Sequence, residues 1–178
     1  MITVKFDRTL TNAYGFEEGR IMLYSAPTYV TINGEIYKDN IKIGEMTLYE
    51  IDGSLNFAAM SMQVPGDTGV IADVICNATG RLKYDTEKFV ILDQIHIDPE
   101  YRNQGYGSQI MKGIMETLND ACNHTIDMMV LYASIFDIDE YIGCPIGKFE
   151  ADVARLVGFY ERAGFKHVEN NVMIKMKG

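Results

Sequence analysis

Long apolar runs, paired cysteines, proline-rich stretches and clusters of positive charge are all missing from this 178-residue chain. Each absence removes a class of protein. No apolar run reaches the roughly 20 residues that a membrane helix needs. The N-terminus, Met1-Ile2-Thr3-Val4-Lys5-Phe6, has no signal-peptide core. A cytoplasmic protein that does not engage a membrane is the expectation. Cys76, Cys122 and Cys144 are odd in number and far apart, which speaks against a disulfide framework and shows no zinc-ligand spacing. His96, His124 and His167 are equally scattered, so no metal site is expected. With 4 prolines, 47% hydrophobic and 23% charged residues, the composition is globular rather than disordered. The formal net charge is −9 and no Lys/Arg cluster occurs, which argues against a nucleic-acid partner and tilts toward a cationic one. An anionic ligand then needs local geometry that overcomes the global field.

What is present is periodicity. No repeat or linker divides the chain, so residues 1–178 are expected as a single domain. Residues 1–36 read as short extended pieces with Asn33-Gly34 as a turn. Ile41 to Ile51 suits a strand, Asp52-Gly53 a hairpin turn, and Ser54 to Val64 the returning strand. Asp67 is a good N-cap for a helix carrying Ile71 and Val74. Phe89 to Ile97 reads as a buried central strand. Ile110, Met111, Ile114, Met115 and Leu118 mark one face of a second helix. Ile126 to Phe136 is a further strand. Phe149, Val153, Leu156, Val157 and Tyr160 mark a third helix, ended by Gly164. Val168 to Met176 supplies a closing strand. Strands first, then alternating strand and helix, predict an α/β (mixed α+β) fold with helices on both faces of the sheet.

The chemistry concentrates between Ile95 and Ser108. There a strand ending Ile95-His96-Ile97-Asp98-Pro99 meets a helix through Arg102-Asn103-Gln104-Gly105-Tyr106-Gly107-Ser108. Two glycines one residue apart let a backbone approach a ligand closely. The first helical N–H groups lack intrahelical partners and lie at the positive end of the helix dipole. Strand, glycine turn and helix N-terminus together make a phosphate cradle, with Arg102 as an added charge. The dinucleotide fingerprint fails because Ile110 stands where its third glycine belongs, and the P-loop fails at Ser108-Gln109.

The remaining pattern, Arg-x-x-Gly-x-Gly after Ile-x-Ile-Asp-Pro, resembles the pyrophosphate-binding motif of GNAT acetyltransferases. Downstream, Phe159-Tyr160-Glu161-Arg162-Ala163-Gly164-Phe165 is similar to the Leu-Tyr-Glu-Lys-x-Gly-Phe signature of the same superfamily. The likeness runs from about Phe89 to Phe165 and weakens toward the N-terminus. One departure is Ala151-Asp152-Val153-Ala154, where many relatives carry an Asn that contacts CoA.

The resemblance implies a mixed, mostly antiparallel sheet with one splayed strand pair. It implies acetyl-CoA as cosubstrate and an acetyl transfer to a primary amine in a ternary complex. The cofactor would be held by backbone N–H groups from Gln104 to Ser108, with Arg102 and Asn103 beside them. Ile95 and Ile97 would pair through their main chain with the pantetheine arm. Tyr160 would protonate the leaving thiolate. Asp93 is the candidate base for the ammonium because alternation puts it on the strand face of Ile95 and Ile97. A buried salt bridge is the alternative for Asp93. His96 faces the other way unless a bulge re-aims it, as a cofactor-lining or core residue. The acceptor, a small molecule or a protein amine, stays open, as does oligomeric state, a homodimer included. A GNAT-like module that binds CoA without turnover is the rival reading.

Overall fold

The structure is a computed structural model; it describes residues 1–11, 15–17, 20–22, 29–52, 71, 74, 88–135, 144–145 and 147–177. Nine strands have described bounds: β1 (Ile2–Thr11), β2 (Gly15–Glu17), β3 (Arg20–Met22), β4 (Tyr29–Lys38), β5 (Ile41–Asp52), β6 (Lys88–Ile97), β7 (Met128–Tyr132), β8 (Lys166–Glu169) and β9 (Val172–Met176). Two described helices, α1 (Tyr106–Cys122) and α2 (Lys148–Arg162), follow β6 and β7. A 7-stranded sheet has the order β1-β4-β5-β6-β7-β9-β8, and β2 and β3 form a separate ribbon. The neighbours in the large sheet are antiparallel except β6 and β7. This is the mixed, mostly antiparallel sheet that the resemblance implied.

Each face of the sheet has its own core. Ile32, Met46, Leu48, Val90, Leu92, Met129, Leu131 and Met173 lie under α1 and α2. Helix α1 turns Ile110, Met111, Ile114, Met115 and Leu118 onto them, as its 3.6-residue period requires. On the other face Tyr29, Tyr49, Ile51, Phe89, Ile91, Met128 and Val130 pack with Ile71 and Val74, both helical and buried. Helical residues therefore pack on both faces. Asp67, the proposed cap of that helix, lies outside the described residues.

Several local expectations are corrected. Asn33-Gly34 is not a turn but the middle of β4, where a Cβ on Gly34 would stand 2.6 Å from Met46 Cγ and 2.8 Å from Phe6 Cε1. The glycine serves a close side-chain approach, not a reversal. The reversal falls at Asp39-Asn40, with φ of 49° and 71°, as a two-residue hairpin between β4 and β5. The strand foreseen over Ser54–Val64 lies outside the described residues, but both edges of β5 are already taken, by β4 and β6. The closing strand is instead the hairpin β8–β9, turned by Asn170-Asn171 with φ of 49° and 63°. Phe149 and Val153 do not enter the core beneath the sheet; both line an outer groove of α2.

Candidate active site

Two strand irregularities make the site. The parallel pair β6–β7 registers only from Phe89↔Met128 to Leu92↔Leu131. β7 ends at Tyr132, while β6 runs on to Ile97 bonded to β5 alone among the described strands. The two strands splay, and alternate main-chain N–H and C=O groups of β6 beyond Leu92 are left facing the gap.

The second irregularity is a bulge. On β5, Thr47 pairs with Gln94 but Leu48 pairs with Leu92, so Asp93 is the extra residue. The bulge resets the alternation: Val90 and Leu92 lie on the α1–α2 face, and so do Ile95 and Ile97. Alternation therefore did not place Asp93 with Ile95 and Ile97. Asp93 is exposed, lines the gap, and is close enough to Tyr49 on the opposite face that its charge helps burial push the Tyr49 phenol pKa up.

The gap opens into a cleft of about 490 Å³ lined by Asp93, Gln94, Ile95 and Ile97 of β6 and by the turn leading into α1. From that turn it takes Arg102, Asn103, Gly105, Tyr106, Gly107 and Ser108. Gly105 caps α1 in the left-handed region, with φ 84°, which a side chain would strain. The helix ladder begins with Gln109 N–H donating to Gly105 O at 3.0 Å. The N–H groups of Tyr106, Gly107 and Ser108 thus precede the ladder and sit at the positive helix end. A Cβ on Gly107 would lie 3.4 Å from Phe159 Cζ and 3.6 Å from Ile97 Cδ1, so a larger residue there has to grow into the cleft or displace Phe159. Arg102 Nε donates to Ile97 O at 2.7 Å, which ties the guanidinium to the end of β6 at the cleft wall.

Two of the sequence candidates lie aside. His96 is 42% exposed, stands 3.7 Å from Asp98, and is not among the cleft-lining residues. The Gln104 side chain donates to Glu100 O and accepts from the Tyr106 hydroxyl. What it could offer the cleft is backbone.

Tyr160 closes the far wall, 6% exposed. Its position follows from the way α2 ends. Gly164, at φ 94°, lets its own N–H reach Glu161 O at 2.9 Å and the N–H of Phe165 reach Tyr160 O at 3.1 Å. This is a Schellman stop, and its usual apolar clasp is the Tyr160–Phe165 ring pair, 5.6 Å between centroids. The Lys175 ammonium, donating to Met111 O, Lys112 O and Ala163 O, ties the end of α2 to α1. Burial pushes the Tyr160 phenol up to about 12, so it remains protonated through the neutral range.

Tyr132 and Ser134, at the carboxyl end of β7, also line the cleft, with Leu156 and Phe159 of α2. These were missed. The available signal was the general tendency of ligands to sit beyond the carboxyl ends of parallel strands.

A splayed parallel pair beside an anion-receptive helix N-terminus is the arrangement of a GNAT-type fold. The acetyltransferase (GNAT) domain model matches residues 65–167, and the chain belongs to that family. No match was found among curated proteins. Among solved structures, the chain is similar to a variant of the toxin AtaT bound to the C-terminus of the antitoxin AtaR, at 13% identity over 82% of this chain and 66% of that one, with a TM-score of 0.45. It is similar to AtaT complexed with acetyl-methionyl-tRNAfMet, at 13% identity over 82% and 71%, TM-score 0.43. It is also similar to the aminoglycoside acetyltransferase AAC(6')-Ib in complex with coenzyme A and kanamycin, at 14% identity over 83% and 67%, TM-score 0.46. The chain thus spans about two thirds of the length of these proteins. Among the described residues, no helix is long and apolar enough to cross a membrane.

Proposed function

We propose that the chain, acting as one domain over residues 1–178, transfers an acetyl group from acetyl-CoA to a primary amine by direct attack in a ternary complex. The observation that carries this is the continuity of one cleft. It runs from the open edge of β6, past the N-terminus of α1, to the buried hydroxyl-bearing ring of Tyr160. A pantetheine arm is an amide chain, and the open edge of β6 offers it main-chain partners at Ile95 and Ile97 as an added strand would have them. The pyrophosphate then falls to the N–H groups of residues 104–108, with Arg102 supplying charge against the net −9 of the chain.

With the thioester held in the gap, the amine nitrogen attacks the carbonyl carbon and the C–S bond breaks. A main-chain N–H near Ile95 meets the oxyanion. The ammonium first loses one proton to Asp93, directly or through water. Once the neutral amine has attacked, the departing sulfur takes a proton from Tyr160, and the second proton released by the attacking nitrogen restores the phenol. A phenol near 12 is a weak acid beside an ordinary thiol, whose pKa is roughly 8.5. The sulfur leaves into the same dry pocket, however, and desolvation raises the thiolate's basicity for the reason it raises the phenol's. Desolvation thus raises the acceptor sulfur's pKa toward that of the phenol, which favours Tyr160 as the donor.

The test is acetyl-CoA turnover over a panel of primary amines, with Tyr160→Phe beside the parent chain. The expected outcome is a fall in kcat of about 100-fold or more with acetyl-CoA affinity unchanged. Unchanged turnover in Tyr160→Phe removes the acid assignment. Saturable binding without turnover on any amine leaves a binding module in place of an enzyme. Asp93→Asn should shift the acid limb of the pH–rate profile, and an unmoved limb assigns the base elsewhere.

A further inference from the structure

At the opposite end of α1 from the cleft lies a second cluster that acetyl transfer does not use. Glu50 comes from β5, Cys122 is the last residue of α1, and His124 stands two positions on. Asn123 between them is in the left-handed region, with φ 56°, so the chain folds back and brings His124 to the side of Cys122. One carboxylate oxygen, the thiol sulfur and one imidazole nitrogen all lie within 4.8 Å of one another. With 17 residues rising about 1.5 Å each, α1 separates this cluster from the glycine turn by roughly 25 Å.

Three features need explaining together. Glu50 is 7% exposed and Cys122 is 4% exposed, so a carboxylate and a thiol share a nearly dry place. His124 Nε2 is buried and has no hydrogen-bond partner among the described residues, although Glu50 Oε1 is 3.0 Å away. A buried nitrogen facing an acceptor without bonding it is costly unless something else uses its lone pair. Finally, the carboxylate is shared: Arg8 Nη2 pairs with Oε2, Oε1 faces His124 Nε2 and Lys88 Nζ, and the Cys122 thiol hydrogen-bonds to the same carboxylate.

We propose that Glu50 Oε1, Cys122 Sγ and His124 Nε2 form a binding site for a transition-metal dication, with Zn²⁺ as the fitting ion. Thiolate and imidazole in one set select zinc over the hard cations magnesium and calcium. Tetrahedral zinc with bonds of roughly 2.0–2.3 Å holds its ligand atoms about 3.3–3.8 Å apart, so side-chain shifts of about an ångström close the set. Water completes the fourth position. The thiolate and carboxylate neutralise the dication, and the thiol proton passes to solvent on binding. Arg8 becomes an outer partner that orients the carboxylate through its second oxygen. Lys88 Nζ, 3.8 Å from Oε1, must give way, and at 39% exposed it has solvent to turn into. The site would pin the end of α1 and the turn after it to β5. The sequence hid it because Cys122 and His124, two positions apart, are only two ligands, and the third, Glu50, comes from a distant strand.

The experiment uses tag-free full chain, stripped with chelator and titrated with Co²⁺, whose thiolate complexes show a near-ultraviolet charge-transfer band. The expected result is a stoichiometric band, displaced by Zn²⁺, retained in Cys76→Ser and Cys144→Ser and absent in Cys122→Ser. His124→Ala should weaken Co²⁺ binding on the order of 100-fold, at least what loss of an outer partner costs. Circular dichroism checks that the variants fold. If Cys122→Ser does not, His124→Ala decides, since that side chain is a quarter exposed. No band from the folded parent chain, a band that survives Cys122→Ser, or an affinity within threefold in His124→Ala overturns the site.

Discussion

Along β6, residues 89–92 are bonded to β5 on one edge and to β7 on the other, whereas residues 94–97 have β5 alone among the described strands. Phe89-Val90-Ile91-Leu92 is wholly apolar, and Gln94-Ile95-His96-Ile97 alternates polar residues with isoleucine. The first half is fully buried and joins the two cores. The second half, past the bulge at Asp93, is only partly buried and borders the cleft. Isoleucine thus stabilises the fold where pairing is complete, as Ile91, and borders the cleft where it is not, as Ile95 and Ile97. The divide is a single extra residue in register with nothing.

The sharpest way to break this contrast is to truncate a side chain in each half. Phe89→Ala, in the doubly paired half, should cost about 3–5 kcal/mol in denaturant unfolding. Ile95→Ala, only partly buried, should cost clearly less while raising KM for acetyl-CoA. Equal stability losses would erase the distinction. Next in size, Gly107→Leu should weaken acetyl-CoA binding about 100-fold, roughly 2.7 kcal/mol, because a side chain occupies the space over the first helical N–H groups. Near-parent affinity would mean that the cleft end of α1 does not hold the phosphates.

A comparable effect is expected from pH. The Tyr160 phenol ionises near 10 in the unfolded chain and at about 12 when folded. The associated stability is present below pH 10 and lost as pH rises toward 12, because the unfolded state ionises first. Denaturation of the parent chain against Tyr160→Phe should show their difference change by about 2–3 kcal/mol across that window. A constant difference would place the phenol in water rather than in the dry wall of the cleft. The smallest effect is that of Arg102→Ala, at about tenfold in acetyl-CoA affinity with a weaker salt dependence. No change would reduce Arg102 to its bond with Ile97.

Much of this site was legible before any coordinates. The apolar stripe from Ile110 to Leu118, the run from Phe89 to Ile97 and the stop at Gly164 are local signals, and local geometry obeyed them. The glycine turn was legible too, because Gly105 answers to a local constraint of φ. The bulge at Asp93 was not, since a bulge exists only relative to the partner strand, here Thr47 and Leu48 of β5. Asn33-Gly34 misled because the contact that demands the glycine comes from Phe6 and Met46. Asn170-Asn171 was overlooked as a turn although asparagine tolerates the left-handed conformation. Tyr132 and Ser134 became wall residues only once β7 proved parallel to β6 and shorter.

The most direct measurement is calorimetric titration of the purified chain with acetyl-CoA, with ATP and NAD as controls. Selective, saturable binding that Gly107→Leu weakens about 100-fold is the result expected of the open edge and helix terminus as one cofactor site. A folded chain that does not bind acetyl-CoA, or binds it no better than ATP, would contradict that claim.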